Sequence, residues 1–390
     1  MYCKRDPGMK TTQYDVIVAG GGVAGCLAAV AAARQGAKTL LLEKSCTTGG
    51  LATAGLINIF LPLCDGNGKQ VTSGLAQELL ERAMKYGPGK IPADWMEKRN
   101  AAEVERLRIV FSPAGMILSL EEMMLESNVT IAYDTLLTAV KKAGSHLQSV
   151  SVENCDGRSE LSAKSFVDAT GSGHLAKLCG EELTPGKNVL SLWALEYEGT
   201  RQYGRDRMQP EINMLTRGNA KRTFCDPTAE DVTNYMLESR AMLREFYRNE
   251  YESGNTDRFT RWPLFIAAMP QFRKIAAVKG KAELKDDMNN LFFEDSIGMV
   301  SDWRKSGPVW EIPFGTMQVL HTDNLFTAGR NISSLGDAWE ITRCIPCACL
   351  TGEAAGYAAF LQSRTFPEDL TGAVQSLMRG NGNKLHLEEL

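Results

Sequence analysis

No stretch of this sequence is long enough and free enough of charge to cross a bilayer. The most apolar run, an alanine-rich segment after Gly25, is broken by Arg34 and falls short of the roughly 20 residues that a span requires. Positive charge is not in excess either. The 43 Lys and Arg stand against 47 Asp and Glu, a net charge of −4, which excludes a basic field for nucleic acid and a polybasic membrane anchor. The opening MYCKRDPGMK carries charges with no apolar signal-peptide core behind it, so the expected location is cytoplasmic. Most of the ten cysteines lie singly inside apolar runs, as Cys26 and Cys179 do, and read as reduced, buried thiols. Internal repeats and low-complexity stretches are also lacking. What remains is an ordinary globular composition, 44% hydrophobic and 23% charged, on a chain whose 390 residues suggest two domains.

The chain is organised around Tyr14 to Lys44. Val16-Ile17-Val18-Ala19 is an apolar run of strand length, followed by Gly20-Gly21-Gly22-Val23-Ala24-Gly25, a complete G-x-G-x-x-G. An alanine-rich helical segment extends to about Gly36, and a second apolar run, Thr39 to Leu42, ends at Glu43. Strand, glycines, helix, strand and acid together form the dinucleotide fingerprint of a βαβ unit. Gly20 makes the tight turn, Gly22 lets the backbone approach a pyrophosphate, and Gly25 lets the helix pack on the strand. The helix N-terminus offers free amides and a positive dipole end to the phosphates. Glu43 is placed to accept from the ribose hydroxyls of the adenosine half. A buried βαβ unit with an incidental glycine turn is the plainer alternative.

A second small-residue loop, Ser45 to Gly55 with Gly49-Gly50 at its centre, follows at once. NAD does not need it. A longer cofactor with a ribityl chain and ring system does, which favours FAD.

Further along, residues 70–86 and 112–126 read as helices, with Ser73 as an N-cap and Pro113 in a first turn. Turns are expected at Pro88-Gly89 and Pro92. Strands are expected at 129–133 and from Leu136, then an antiparallel meander at 147–152 and 161–166 around Asn154-Cys155-Asp156-Gly157. Val167-Asp168-Ala169-Thr170-Gly171 is a strand end with small residues, followed by a helical segment, 174–180. Residues 189–317 hold Trp193, Trp262, Trp303 and Trp310 and a long polar helix at about 229–251; they read as an inserted substrate or cap domain. Asn324 to Arg330 is a strand ending in Gly329-Arg330, and 345–360 is a helix with Pro346 suited to its first position. The polar tail after Arg379 is expected to fray. The expected division is 1–188 and 318–375 for the cofactor domain, 189–317 for the cap and 376–390 for the tail.

These blocks, with Arg343 and Gly352-Glu353-Ala354-Ala355-Gly356 behind the last strand, resemble the FAD-dependent oxidoreductases of the glutathione-reductase-like fold. Within them they resemble the branch related to the fumarate reductase and succinate dehydrogenase flavoproteins. The resemblance covers about half the chain, at both ends. It implies an α/β fold, an FAD-binding Rossmann-like domain with an inserted α+β cap. It also implies that Gly20, Gly22, Val23, Ala24 and Gly25 hold the pyrophosphate, and Glu43 with Lys44 the adenosine ribose. Gly49, Gly50 and Leu51 would run beside the isoalloxazine. Leu137 would meet adenine. Ala169, Thr170 and Gly171 would border the adenosine half and pyrophosphate, and Gly329 and Arg330 the pyrophosphate and ribityl chain. The helix from Pro346 would aim its N-terminus at the N1–C2 edge of the flavin.

With the redox chemistry carried by the ring, the protein supplies orientation and a substrate pocket. Arg343, just before the flavin-facing helix, is the first candidate for clamping a substrate carboxylate or carbonyl; the alternative is a structural arginine. Arg273 matches an arginine that recurs in the branch at the cap boundary. His174 is the one histidine inside a motif and a candidate acid, base or ligand. His146, His321 and His386 have no motif.

The family's relatives often attach flavin to a histidine before the double glycine. Here that area holds Ser45, Cys46 and Thr47, so non-covalent FAD is expected, with a Cys46 thioether as the alternative. Cys344, Cys347 and Cys349 read as small buried residues of the flavin-facing helix. A redox relay or a metal site is their alternative, and no second cysteine cluster supplies further ligands, so no metal is expected. The expected function is a hydride-transferring FAD oxidoreductase with a small organic substrate and an unspecified electron partner. An NAD-dependent dehydrogenase and a non-catalytic binding protein of flavoprotein fold, like the prenylation escort proteins, are the alternatives.

Overall fold

The computed structural model describes residues 13–87, 89–91, 109–199, 211–364 and 367–390. The charged start and the turns expected at Pro88 and Pro92 lie outside the described residues.

Tyr14–Ala19 is strand β1, Val23–Arg34 helix α1 and Thr39–Leu42 strand β2. β1 and β2 pair in parallel, Val16 opposite Thr39, as the crossover through α1 allows. α1 is buried from Val23 to Ala32 because a second helix covers it from the side away from the sheet. That explains its alanines: only small side chains fit where two faces are covered at once.

A short pair, β3 (Ile59–Phe60) with β4 (Ile109–Val110), flanks α2 (Gly74–Ala83). α2 follows Ser73 as expected and continues as a 3-10 turn to Tyr86. In α3 (Pro113–Glu126) the Ser112 hydroxyl accepts the Gly115 amide and Pro113 fills the first turn. β5 (Thr130–Ala132) joins the far edge of β2.

β6 (Leu136–Ala143), β7 (His146–Asn154) and β8 (Gly157–Asp168) form the meander. β8 is one continuous strand with two partners in succession. Its first half pairs antiparallel with β7, and its second half pairs in parallel with β1, Ser165 opposite Val16. On its other side Phe166, Val167 and Asp168 pair with β16 (below). Helix α4 (His174–Leu178) follows.

β9 (Leu183–Pro185) leads into β10 (Lys187–Glu198), the centre of a separate antiparallel sheet in the order β11–β10–β12, with β11 at Glu211–Cys225 and β12 at Arg261–Ile266. Helix α5 (Ala229–Glu252) covers it. Thr228 and Asp231 close a reciprocal capping box at its start. Tyr235, Ser239, Leu243 and Tyr247, spaced by four, are its buried stripe. The buried Glu196 of β10 accepts from Arg261 at 2.7 Å and from the Tyr247 hydroxyl at 2.9 Å, so its charge is paired and hydrogen-bonded.

β13 (Ala276–Val278) returns to β9, and β14 (Ser296–Ser301) pairs with β15 (Val309–Pro313). Leu284, Ile297, Val300, Trp310, Ile312 and Phe314 belong to the same apolar cluster as Val16, Leu27 and Leu75. The β10–β11–β12 sheet and α5 have small clusters of their own, whereas 284–317 pack into the main core.

β16 (Leu325–Thr327) completes the parallel sheet, so the sheet order is β5–β2–β1–β8–β16 with the meander extending from β8. Buried Asn324 fixes the junction: it accepts the Leu147 amide and donates to the Leu147 and Lys164 carbonyls. Helices α6 (Gly336–Thr342), α7 (Ile345–Arg364) and α8 (Leu370–Gly380) end the chain. α7 starts at Ile345, so Pro346 is its second residue, where a missing amide hydrogen is still harmless. α7 is the helix that covers α1. A Cβ on Gly352 would lie 2.3 Å from the Ala24 carbonyl oxygen, and one on Gly356 2.3 Å from that of Ala28, so these glycines set the helix separation.

The tail does not fray. Asn383 and Leu385 are buried. The Asn381 and Asn383 amides donate to Glu353 at 2.7 and 3.1 Å, Ser296 donates to the Leu385 carbonyl at 2.6 Å, and Glu311 accepts the Leu387 amide at 3.0 Å. The buried carboxylates on α7 and β15 need these donors, the Ser296 hydroxyl on β14 finds its acceptor in the tail, and polar composition gave no sign of it. No single helix among the described residues is long and apolar enough to cross a membrane.

Candidate active site

The turn after β1 is built as the glycine spacing demands. Gly20 has φ +101°, and a Cβ there would sit 2.6 Å from the Ala169 carbonyl oxygen. A Cβ on Gly25 would sit 1.8 Å from the Gly20 oxygen. At Gly22, by contrast, a Cβ would meet nothing within 4 Å. That position opens outward from the N-terminus of α1, which has no side-chain cap and no acid in its first turn. Free amides, a positive dipole end and room for close approach coincide there.

Glu43 faces this loop. One carboxylate oxygen accepts the Gly21 amide at 2.7 Å and the other accepts the amide and hydroxyl of Ser45, both at 2.8 Å. The acid braces the loop as well as standing where a ribose is expected. The double-glycine segment lies alongside: the Gly49 amide donates to the Gly21 carbonyl at 2.8 Å, and Gly49 and Gly50 have φ of +88° and +55°. A Cβ on Gly50 would meet only the Gly22 Cα, at 3.4 Å. Lys44 is exposed and Leu51 half-buried.

The end of β8 is organised by buried Asp168, a role that the sequence motif did not reveal. Its carboxylate accepts the amide and hydroxyl of Thr170 and the Ala176 amide of α4. Thr170 in turn accepts the His174 amide at 2.9 Å, and the His174 ring reaches the Leu137 carbonyl at 3.1 Å. The candidate acid–base histidine is thus held by the Leu137 backbone oxygen. Gly329, φ +79°, approaches Ala24 and its amide donates to the Thr351 hydroxyl at 2.9 Å. Arg330 lies flat over Gly171 and donates to its carbonyl at 2.9 Å.

At the start of α7 the charges are dense. Arg343 is occupied: its Nε donates to Glu340 at 2.7 Å, and Lys274 donates to the other oxygen of that carboxylate at 2.5 Å. The glutamate three residues before Arg343 was the available sequence signal. Burial pushes Glu340 upward, but Arg343 and Lys274 outweigh it and hold its pKa below the usual range. Arg273 has no carboxylate partner among the described residues. It stacks over Trp193 with 5.4 Å to the ring centroid and donates to the Gln271 carbonyl at 2.6 Å. Burial, with Arg343 adding to it against the pull of Tyr235, brings Arg273 down to about 10. Burial and the neighbouring Arg273 likewise bring Arg330 to about 10. The three arginines therefore feel one another's charge, and among the described residues His174 forms no hydrogen bond with any of them.

Gln271, buried and unremarked in the sequence, ties this group to the double-glycine loop. It accepts the Trp193 amide at 2.9 Å and donates to the Trp193 and Gly55 carbonyls. Cys347 and Cys349 are fully buried, and burial raises both thiols; it brings Cys344 to about 11. Such thiols are poor nucleophiles. Among the described residues no three His, Cys, Asp or Glu side chains converge as a metal site.

The family model of the FAD dependent oxidoreductases matches residues 15–192 and 274–374. The chain belongs to that family. It is an oxidoreductase, and FAD is its cofactor. The open face at Gly22 and Gly50 and the uncapped α1 N-terminus fit such a group. Several solved structures are similar to this chain. Anhydrotetracycline hydroxylase OxyS from Streptomyces rimosus is 14% identical over 95% of this chain and 66% of its own, with a TM-score of 0.48. CabE, an aromatic hydroxylase from angucycline biosynthesis, is 14% identical over 95% and 66%, with a TM-score of 0.50. A geranylgeranyl bacteriochlorophyll reductase-like protein from Thermoplasma acidophilum is 14% identical over 96% and 85%, with a TM-score of 0.48. The chain spans about two thirds of the length of the two hydroxylases. These matches concern the FAD-dependent oxidoreductases broadly and do not reach the fumarate reductase branch.

Proposed function

We propose that this FAD-dependent oxidoreductase holds its flavin non-covalently and transfers a hydride between flavin N5 and a small organic substrate. The observation that carries the reading is the juxtaposition of the open phosphate face at Gly22 with the double-glycine loop and, across Gln271, with the arginine group at the start of α7. When bound, FAD supplies the two-electron chemistry.

The chain's own residues then divide as follows. The Gly20–Gly25 turn and the α1 amides hold the pyrophosphate, and Gly329 with Arg330 closes its other side. Glu43 holds the loop and accepts from the ribose. Thr170, oriented by Asp168, and the Leu137 backbone border the adenosine half. Gly49, Gly50 and Leu51 lie along the ring. The first-turn amides of α7 stand where negative charge develops. Arg273 orients the substrate. The cap that covers the substrate includes residues 193–273, the stretch that the family model skips. The kinship with the fumarate reductase flavoproteins rests on the sequence motifs.

The test is the visible absorption spectrum of the purified protein before and after acid precipitation. Flavin bands that pass into the supernatant support the reading. Bands that stay with the pellet point to attachment, with Cys46, exposed beside the loop, as its place. A colourless protein that FAD does not reconstitute overturns it.

A further inference from the structure

The cation group at the start of α7 is not uniformly available to a ligand. Arg343 has turned its Nε and one Nη toward a single oxygen of Glu340, so the edge of the guanidinium that would grip a carboxylate in two places is spent. Lys274 is spent on the other oxygen of Glu340. Arg330 is drawn over Gly171 at the far side, where its Nε is bonded. Arg273 differs. Among the described residues only its Nη1 is engaged, by the Gln271 carbonyl, and no hydrogen bond falls on the Nε–Nη2 edge. The guanidinium plane is held by the Trp193 ring, and Trp193 is held in turn by buried Gln271. A largely buried guanidinium with an unused edge and no carboxylate partner among the described residues is short of one negative charge.

We propose that the site selects a monoanionic organic substrate, its carboxylate seated on the free edge of Arg273 beside Trp193, and that Glu340, by occupying Arg343, is the residue that excludes a second negative charge. The inference rests on the proposed function and narrows its substrate class. Two features make it specific. Arg273 is on the segment that follows the cap sheet, whereas Glu340 and Arg343 are on or beside α6, so the carboxylate grip and its limit belong to different elements. Moreover, Glu340 holds both Arg343 and Lys274, which leaves neither cation unpaired for a second carboxylate.

The test uses FAD-loaded protein and two flat probes that share a ring, benzoate with one carboxylate and phthalate with two. Binding is read from the perturbation of the flavin spectrum and from tryptophan fluorescence, without turnover. Benzoate is expected to bind at least about tenfold more tightly than phthalate. Arg273→Gln should weaken benzoate about tenfold or more, and Arg273→Lys should restore only part of it. Glu340→Gln should bring phthalate to within about threefold of benzoate. If Glu340→Gln fails to retain FAD, Arg343→Gln decides: benzoate should stay within about threefold of wild type. The proposal is overturned by phthalate binding as tightly as benzoate to the wild type, by benzoate indifferent to Arg273, by phthalate indifferent to Glu340, or by an Arg343 effect equal to that of Arg273. FAD-loaded protein that binds neither probe sinks this inference alone; protein that never loads FAD sinks the function on which it rests.

Discussion

Glu353 on α7 and Leu75 in the first turn of α2 are 278 residues apart, and the buried carboxylate of one accepts the amide of the other at 2.9 Å. The same carboxylate collects the Asn381 and Asn383 amides of the tail. A helix start, a core helix and the chain's last residues thus meet on one side chain.

Burial raises Glu353 to about 7 despite these donors. Its folded pKa lies above the unfolded value of 4.5, so folding favours the protonated form. That contribution is complete below about pH 4.5 and is lost as pH rises through 7. Wild-type stability should fall across this window relative to Glu353→Gln, by on the order of 3 kcal/mol. Urea unfolding of both proteins at several pH values measures it, and parallel pH profiles would contradict the assignment.

Removing the residues after Arg379 should destabilise the protein by about 3–5 kcal/mol, because Leu385 leaves the core and Glu353 and Glu311 lose donors. A chemical denaturation midpoint within error of the full chain would mean that the docked tail adds nothing.

Gly22→Ala and Gly25→Ala should part company. The first places a methyl in open space, so the apoprotein keeps its thermal midpoint while FAD affinity drops about tenfold or more. The second drives a methyl into the Gly20 carbonyl and should cost several kcal/mol of folding stability, beyond the roughly 1–3 kcal/mol of ordinary overpacking. Differential scanning of the apoproteins and FAD fluorescence titration separate the two effects.

Thiol reagents should modify Cys46, Cys155 and Cys225, which are exposed, in the folded protein. Cys344, Cys347 and Cys349 should react only after unfolding, since burial disfavours each thiolate. Mass-resolved labelling checks this; rapid labelling of Cys344 in the native protein would reopen a redox role.

Much of the framework was legible because it is local. The β1–α1–β2 unit is written in consecutive apolar runs and glycine spacing, and α3 and the meander in caps and turns. What the sequence hid is what depends on distant partners. Arg343 reads as a free clamp until Glu340 is seen beside it, although their spacing of three residues was a usable hint. Gln271 is an unremarkable polar residue until its amide is found between Trp193 and Gly55. The aromatic run that suggested a cap through residue 317 mixes two populations: Trp193 on the β10 sheet and Trp310 in the main core. Composition counts both alike. The tail looked loose because its anchors, Glu353, Ser296 and Glu311, lie elsewhere in the chain.

The strand β8 has a consequence for synthesis. Its parallel half is finished at Asp168, but the neighbour on one flank, β16, begins only at Leu325. At ordinary translation rates that flank stays open for roughly 8–30 s while the intervening chain is made. For that time the nascent protein carries an apolar strand edge, Phe166-Val167, with no intramolecular mate. A ribosome pause or a codon change between the two would lengthen the window in which another chain, or a chaperone, occupies it.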